Sequence, residues 1–110
     1  AISVFTHLPL AIQQAWFAEL RRIAKPGALL ILTYMPDAAA AQFFTPDLAL
    51  ENVDGFSYYR TTPTDGLPDY YHVSYHTDAA IRRLAGEHFH VLSTHERAVN
   101  DHQSAIVCTV

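Results

Sequence analysis

Two histidines can take a proton from a nucleophile: His76, which follows the run Tyr71-His72-Val73-Ser74-Tyr75, and His102, inside the polar stretch Asn100-Asp101-His102-Gln103. Imidazole titrates near neutral pH, so either suits general-base work on a substrate hydroxyl, and either also reads as a structural hydrogen-bonder. His7, two residues before Pro9, can orient a nucleophile or bond the start of the segment that follows. Tyr34 and Met35 leave a long apolar run together and can line a substrate pocket. Tyr58, Tyr59, Tyr70, Tyr71 and Tyr75 offer apolar bodies with polar tips, which suits an amphipathic small molecule, or equally a satellite core beneath a long loop. His88, His90, His95 and Glu96 have spacing compatible with a metal site. Phe89 and Val91 carry the core pattern there, so the histidines also read as a solvated outer face, and no metal ligand is assigned.

Several elements must position these groups. Ile2 to Phe5 is short, apolar and β-prone, and Thr6-His7-Leu8-Pro9 ends it as a loop. From Leu10 onward Ile12, Trp16, Leu20 and Ile23 recur at helical spacing, widened by Phe17 and Ala24, while Gln13, Gln14, Glu19, Arg21 and Arg22 fall outside the stripe. Arg21, Arg22 and Lys25 complement the helix dipole, and Pro26-Gly27 stops the helix. Ala28 to Tyr34 is continuously apolar, which predicts a strand covered on both faces in a parallel sheet and, with the first strand and helix, a right-handed βαβ unit.

Residues 35 to 76 are broken by Pro36, Pro46, Pro63, Pro68, Gly55 and Gly66 among many aromatics, and read as an inserted substrate lid. Thr45-Pro46-Asp47 predicts a short helix through about Asn52. Phe56 to Tyr59 and Tyr71 to Tyr75 can pair as a ribbon around Pro63-Thr64-Asp65-Gly66. Thr77 or Asp78 caps a second helix carrying Ile81, Leu84 and Ala85 and closed by Gly86. A strand to about Arg97, a turn at Asn100 to Gln103 and a strand from Ser104 to Val110 form a hairpin.

The chain has 110 residues, enough for one domain with one core. Half of them are hydrophobic and 16% charged, too apolar for a disordered chain and too interrupted for a membrane span. The net charge is −4 and the seven Lys and Arg form no run beyond Arg21-Arg22 and Arg82-Arg83, which disfavours nucleic acid as a partner. A lone cysteine, Cys108, in an apolar segment predicts a reducing, cytoplasmic setting. The apolar opening without an initiator Met predicts further chain upstream.

Ser3-Val4-Phe5-Thr6-His7-Leu8-Pro9 and Glu19-Leu20-Arg21-Arg22-Ile23-Ala24-Lys25-Pro26-Gly27-Ala28-Leu29-Leu30-Ile31-Leu32-Thr33 resemble the stretch from the fourth to the fifth strand of class I, Rossmann-like S-adenosylmethionine-dependent methyltransferases. Ile23-Ala24 and Ala28 depart from that family's Val-Leu and second Gly. Thr77 to Ala85, His88 to Arg97 and His102 to Cys108 resemble its final helix and last antiparallel pair. The resemblance implies the C-terminal half of that fold, an α/β sheet with two parallel strands, a crossover helix, the aromatic insertion, a final helix and an antiparallel strand pair. It implies S-adenosylmethionine as cofactor, with Ser3, Val4 and Phe5 beside its methionine portion, and a small-molecule methyl acceptor taken on oxygen or nitrogen. Ligands in such sheets bind beyond the carboxyl ends of the strands, which brings His7, Tyr34, Met35 and the hairpin bearing His102 to one rim, with Tyr71 and Tyr75 in the lid.

The family's glycine-rich turn and its acidic ribose-binding residue have no counterpart here, and no GxGxG occurs, so the segment alone should be inactive and bind cofactor weakly. Two other readings compete. One is a non-catalytic interaction domain that dimerises, or docks on an N-terminal half, through the exposed edge of the Ile2 to Phe5 strand. The other is a histidine-based metal-binding module.

Overall fold

The computed structural model describes residues 1–63 and 65–110; Thr64, in the expected Pro63 to Gly66 turn, lies outside the described residues. Helix α1 spans Leu10–Ile23, strand β1 Leu29–Pro36, α2 Asp37–Ala40, β2 Ala49–Val53, β3 Phe56–Tyr59, β4 Val73–His76, α3 Asp78–Gly86, β5 His90–Val99 and β6 Gln103–Thr109. Single 3-10 turns lie at Phe5–His7 and Pro46–Leu48. The strands form one six-stranded sheet in the order β2-β3-β4-β1-β6-β5.

The sheet corrects the Rossmann-like expectation. Only β1 and β4 run parallel, through Met35 opposite Tyr75 and Pro36 opposite His76, while the other four pairings are antiparallel. Ile2 to Phe5 is not a strand. Ser3 has φ of +57°, a left-handed turn that stops extension, and Phe5 then drops into the core against Phe17 with ring centroids 4.9 Å apart. Ala1 alone lies along β1: its amino group donates to the Ile31 carbonyl at 2.7 Å and its carbonyl accepts from the Thr33 amide at 3.1 Å. The expected parallel partner of the central strand is therefore replaced by β4, which arrives from the other side of the aromatic segment.

Residues after Met35 do not form a separate lid but add three strands to the sheet. Phe56 to Tyr59 pairs with Val73 to His76, so the expected ribbon forms but its second strand starts two residues later than Tyr71 and includes His76. The helix expected through Asn52 is one 3-10 turn followed by strand β2, because Ala49, Glu51, Asn52 and Val53 pair with β3 in an antiparallel ladder that bulges at Leu50.

Strand β1 is covered on one face only over its first half. Leu32 and Tyr34 are buried under α1 and α3, whereas Leu29 and Ile31 point the other way and remain 62% and 51% exposed. Helix α2 and Phe44 cover that second face only where Tyr59 and Tyr75 sit. Continuous apolarity in β1 thus does not mean two covered faces here.

Helix α1 begins at Leu10, where the helical spacing starts, and ends at Ile23 with Arg21 and Arg22 in its last turn, shortly before Pro26-Gly27, but it is rotated. Its buried side chains are Gln13 and Phe17, while Trp16 and Ile23 of the expected stripe are 46% and 59% exposed. Gln13 Nε2 reaches the carbonyls of Phe5 at 3.0 Å and Leu8 at 2.9 Å and the Ser74 hydroxyl at 3.1 Å. The Ser74 hydroxyl in turn donates to the Phe5 carbonyl at 2.7 Å, so the loop before α1 is sewn onto β4. The amide nitrogen is tolerated this deep because it bonds backbone carbonyls, that of Leu8 above all, whereas Gln13 Oε1 has no partner among the described residues.

The β5–β6 hairpin closes through Asn100 and Asp101, with φ of 52° and 58°, and the His102 amide donates to the Val99 carbonyl at 3.3 Å. Positive φ at both central positions is what a type I′ turn demands. Asn100→Val is therefore expected to cost about 1 kcal/mol in urea unfolding and Asn100→Gly to be near neutral. Equal stability of the Val and Gly variants would contradict this turn.

Candidate functional site

A cleft of about 1090 Å³ opens where β1 runs into α2 and faces the β5–β6 hairpin. Tyr34, Met35 and Phe43 come from β1 and the α2 region, Asp78 from the first turn of α3, and Thr94, His102 and Ser104 from the hairpin strands and their turn. Thr77 sets where α3 starts: its hydroxyl accepts the Ala80 amide at 3.0 Å, an N-cap that leaves Asp78 at the first helical position, facing the cleft.

A short polar chain forms the wall. The Tyr34 hydroxyl approaches Asp78 Oδ1 at 3.5 Å, Arg82 Nε donates to Asp78 Oδ2 at 2.6 Å, and Arg82 Nη2 donates to Thr94 Oγ1 at 2.5 Å. The Thr94 hydroxyl and the Arg82 guanidinium hold the Asp78 carboxyl below the ordinary carboxylate range, so it stays an anionic acceptor. Burial, reinforced by the Asp78 charge, pushes the Tyr34 phenol above its usual value. Tyr34 is thus a neutral donor and not a base.

His102 is exposed at the cleft mouth, and its Nδ1 sits 2.7 Å from the Asn100 carbonyl. A carbonyl can only accept, so Nδ1 carries a proton, and in the neutral ring the lone pair is then on Nε2. This is the tautomer a proton acceptor requires, held by the type I′ turn itself.

The other residues singled out in the sequence fall elsewhere. His76 is buried on the α1/α3 face behind Tyr34, with ring centroids 6.2 Å apart, and does not line the main cleft. The Ser3 hydroxyl bonds the Gln103 side chain, next to His102, and its amide donates to Thr33 Oγ1 at 2.8 Å. Val4 is partly exposed and Phe5 is locked in the core. His7 Nδ1 donates to the His72 carbonyl at 2.8 Å and its ring stacks on Tyr71 at 4.3 Å, a structural clasp between the first loop and β4. Tyr75 packs with Tyr59 and Phe44 on the far face of the sheet. Sequence reasoning missed Asp78, Thr94 and Ser104. Asp78 was visible only as a helix cap, and Thr94 and Ser104 only as strand residues.

His88 stacks beside Phe17 and His95 pairs with Ser93 at 2.8 Å, so the histidine-rich segment is divided between core and surface. No three His, Cys, Asp or Glu side chains among the described residues are grouped to hold a metal ion. Among the same residues no helix is long and apolar enough to cross a membrane. No family model, curated protein or solved structure matches the chain.

Proposed function

We propose that the chain is the acceptor-binding part of an S-adenosylmethionine-dependent methyltransferase that acts on an oxygen or nitrogen of a small molecule. The observation that carries this reading is the convergence of Tyr34, Met35 and His102 on one cleft, near the upper end of the size usual for small-ligand sites. The residues at 19 to 33, a helix end followed by an apolar strand, supply the resemblance that names the donor, whereas the likeness at 3 to 9 is to a strand that is not formed here.

The sulfonium of the donor is already activated, so alignment supplies much of the acceleration and the protein needs only a modest base. His102 Nε2 is available to take the proton from an acceptor hydroxyl, while Tyr34 donates and Asp78 accepts to orient a polar acceptor. The glycine-rich cradle for the donor would come from residues other than these 110.

Chemical-shift mapping tests the binding half of this reading. Catechol and glucosamine, as hydroxyl and amine probes, are expected to move the signals of Tyr34, the Met35 methyl and His102, and S-adenosylhomocysteine to move the Ser3 amide weakly. A cleft silent to every probe would sink the proposal. In an active enzyme containing the chain, His102→Gln is expected to slow transfer to a hydroxyl about 10²-fold without weakening S-adenosylhomocysteine binding, the low end for a lost general base.

A further inference from the structure

His76 is 99% buried, and neither ring nitrogen has a hydrogen-bond partner among the described residues. A neutral imidazole carries one donor and one acceptor, and leaving both unpaired away from water is costly. The ring lies against Phe56, with centroids 5.0 Å apart, and edge-on to Tyr34. Outside it runs a seam of about 160 Å³ between α1, α3 and the β2–β3 turn, walled by Leu10, Val53, Ala80 and Leu84.

The charged and polar groups around this ring are few. From α3 come Asp78, Arg83 and Glu87, from the β2–β3 turn Asp54, from β1 the Tyr34 phenol, and from α1 Gln14. Glu51 of β2 is committed to the Leu10 amide, and Arg83 to the Asp54 carbonyl at 2.6 Å. None of them bonds the imidazole, so a proton placed on it finds no counter-ion without movement.

The residue after His76 is the α3 cap. Thr77 holds the Ala80 amide with its side chain and the Gly55 carbonyl with its own amide at 2.8 Å. Ring and cap thus share one short backbone segment, and α3 also contributes Asp78 to the main cleft.

We propose that His76 is a proton-operated latch: its neutral ring seals the seam beneath α3, and its protonation unseats the first turns of that helix and removes one wall of the main cleft. The inference rests on the buried ring and its seam, and stands whether or not the chain serves methyl transfer.

Burial holds the His76 ring down to a pKa of about 4, against the usual 6.5. The closed form excludes the proton that the open form accepts, so the closed state is fully favoured above pH 6.5 and loses its advantage as pH falls towards 4. Between pH 7.5 and 5 the opening constant is expected to rise about 30-fold.

Residue-resolved hydrogen exchange on the whole chain provides the test. At pH 5 the Ile81 and Leu84 amides are expected to exchange at least tenfold faster than those of Phe17 and Leu20, with little dependence on urea, and His76→Phe should abolish the pH response. Equal protection of α3 and α1 at every pH, with the same urea dependence, would overturn the latch, as would an unchanged pH response in the variant. Should His76→Phe fail to fold, the wild-type exchange pattern decides alone.

Discussion

Gln13→Leu is expected to lower the unfolding free energy by about 3 kcal/mol, measured by urea denaturation. Gln13 is fully buried, and its amide nitrogen bonds two carbonyls and a hydroxyl contributed by the first loop and β4. Leucine fills similar space but leaves the Leu8 carbonyl with no donor, while the Phe5 carbonyl keeps the Ser74 hydroxyl at 2.7 Å and the Leu8 amide at 3.4 Å. The loss is the desolvation penalty of the Leu8 carbonyl together with the two other bonds of the Gln13 amide, not merely the net worth of one hydrogen bond. The helical stripe read from the sequence makes the opposite forecast: Gln13 outside the stripe would face solvent, and the substitution would fall within about 0.5 kcal/mol of neutral. A near-neutral result would restore that stripe and reject the observed rotation of α1.

Gly55→Ala is expected to cost about 3 kcal/mol, combining left-handed strain with overpacking. Gly55 has φ of +86°, and a Cβ there would lie 2.4 Å from Thr77 Oγ1 and 3.1 Å from the Ala80 Cβ. The chain has little room to yield, because the same Thr77 hydroxyl caps α3 and the Thr77 amide is bonded to the Gly55 carbonyl. Rotating the threonine away would sacrifice the cap, worth about 1 kcal/mol. A double-mutant cycle isolates the contact: Thr77→Ala removes both threonine atoms that crowd the new methyl, so the double variant should be at least about 1 kcal/mol more stable than additivity allows. Strict additivity would show that the close approach to Thr77 is not the cause.

These two sites, with the His76 ring, surround one structural joint. The first loop, the start of α1, the β2–β3 turn and the cap of α3 all meet at the end of β4. The candidate site is mounted on that joint through Asp78. Its other wall is mounted on the hairpin, where the type I′ turn sets the tautomer of His102.

The sequence shows this arrangement unevenly. Helix α1 ends at Ile23 with Arg21 and Arg22 in its last turn, α3 starts on the Thr77 cap, and the hairpin turns at Asn100 and Asp101, all as local signals indicate. The pairing of Phe56 to Tyr59 with Tyr71 to Tyr75 was readable from β-prone runs around a turn. Tyr34 and Met35 were identifiable as rim residues because they end an apolar run, and His102 because it lies in the polar turn of the last hairpin.

By itself the sequence determined where most elements begin and end, since capping, turn chemistry and hydrophobic period depend on residues only a few positions apart. The tertiary structure decided which strand lies beside β1, which face of α1 is buried, and that His76 is sealed while His102 is open. Those outcomes depend on contacts such as Gln13 with Ser74, 61 residues apart, and Ser3 with Gln103, 100 apart. Gln13 becomes a core residue because distant groups need its donors, and nothing in its own neighbourhood of the chain encodes that need.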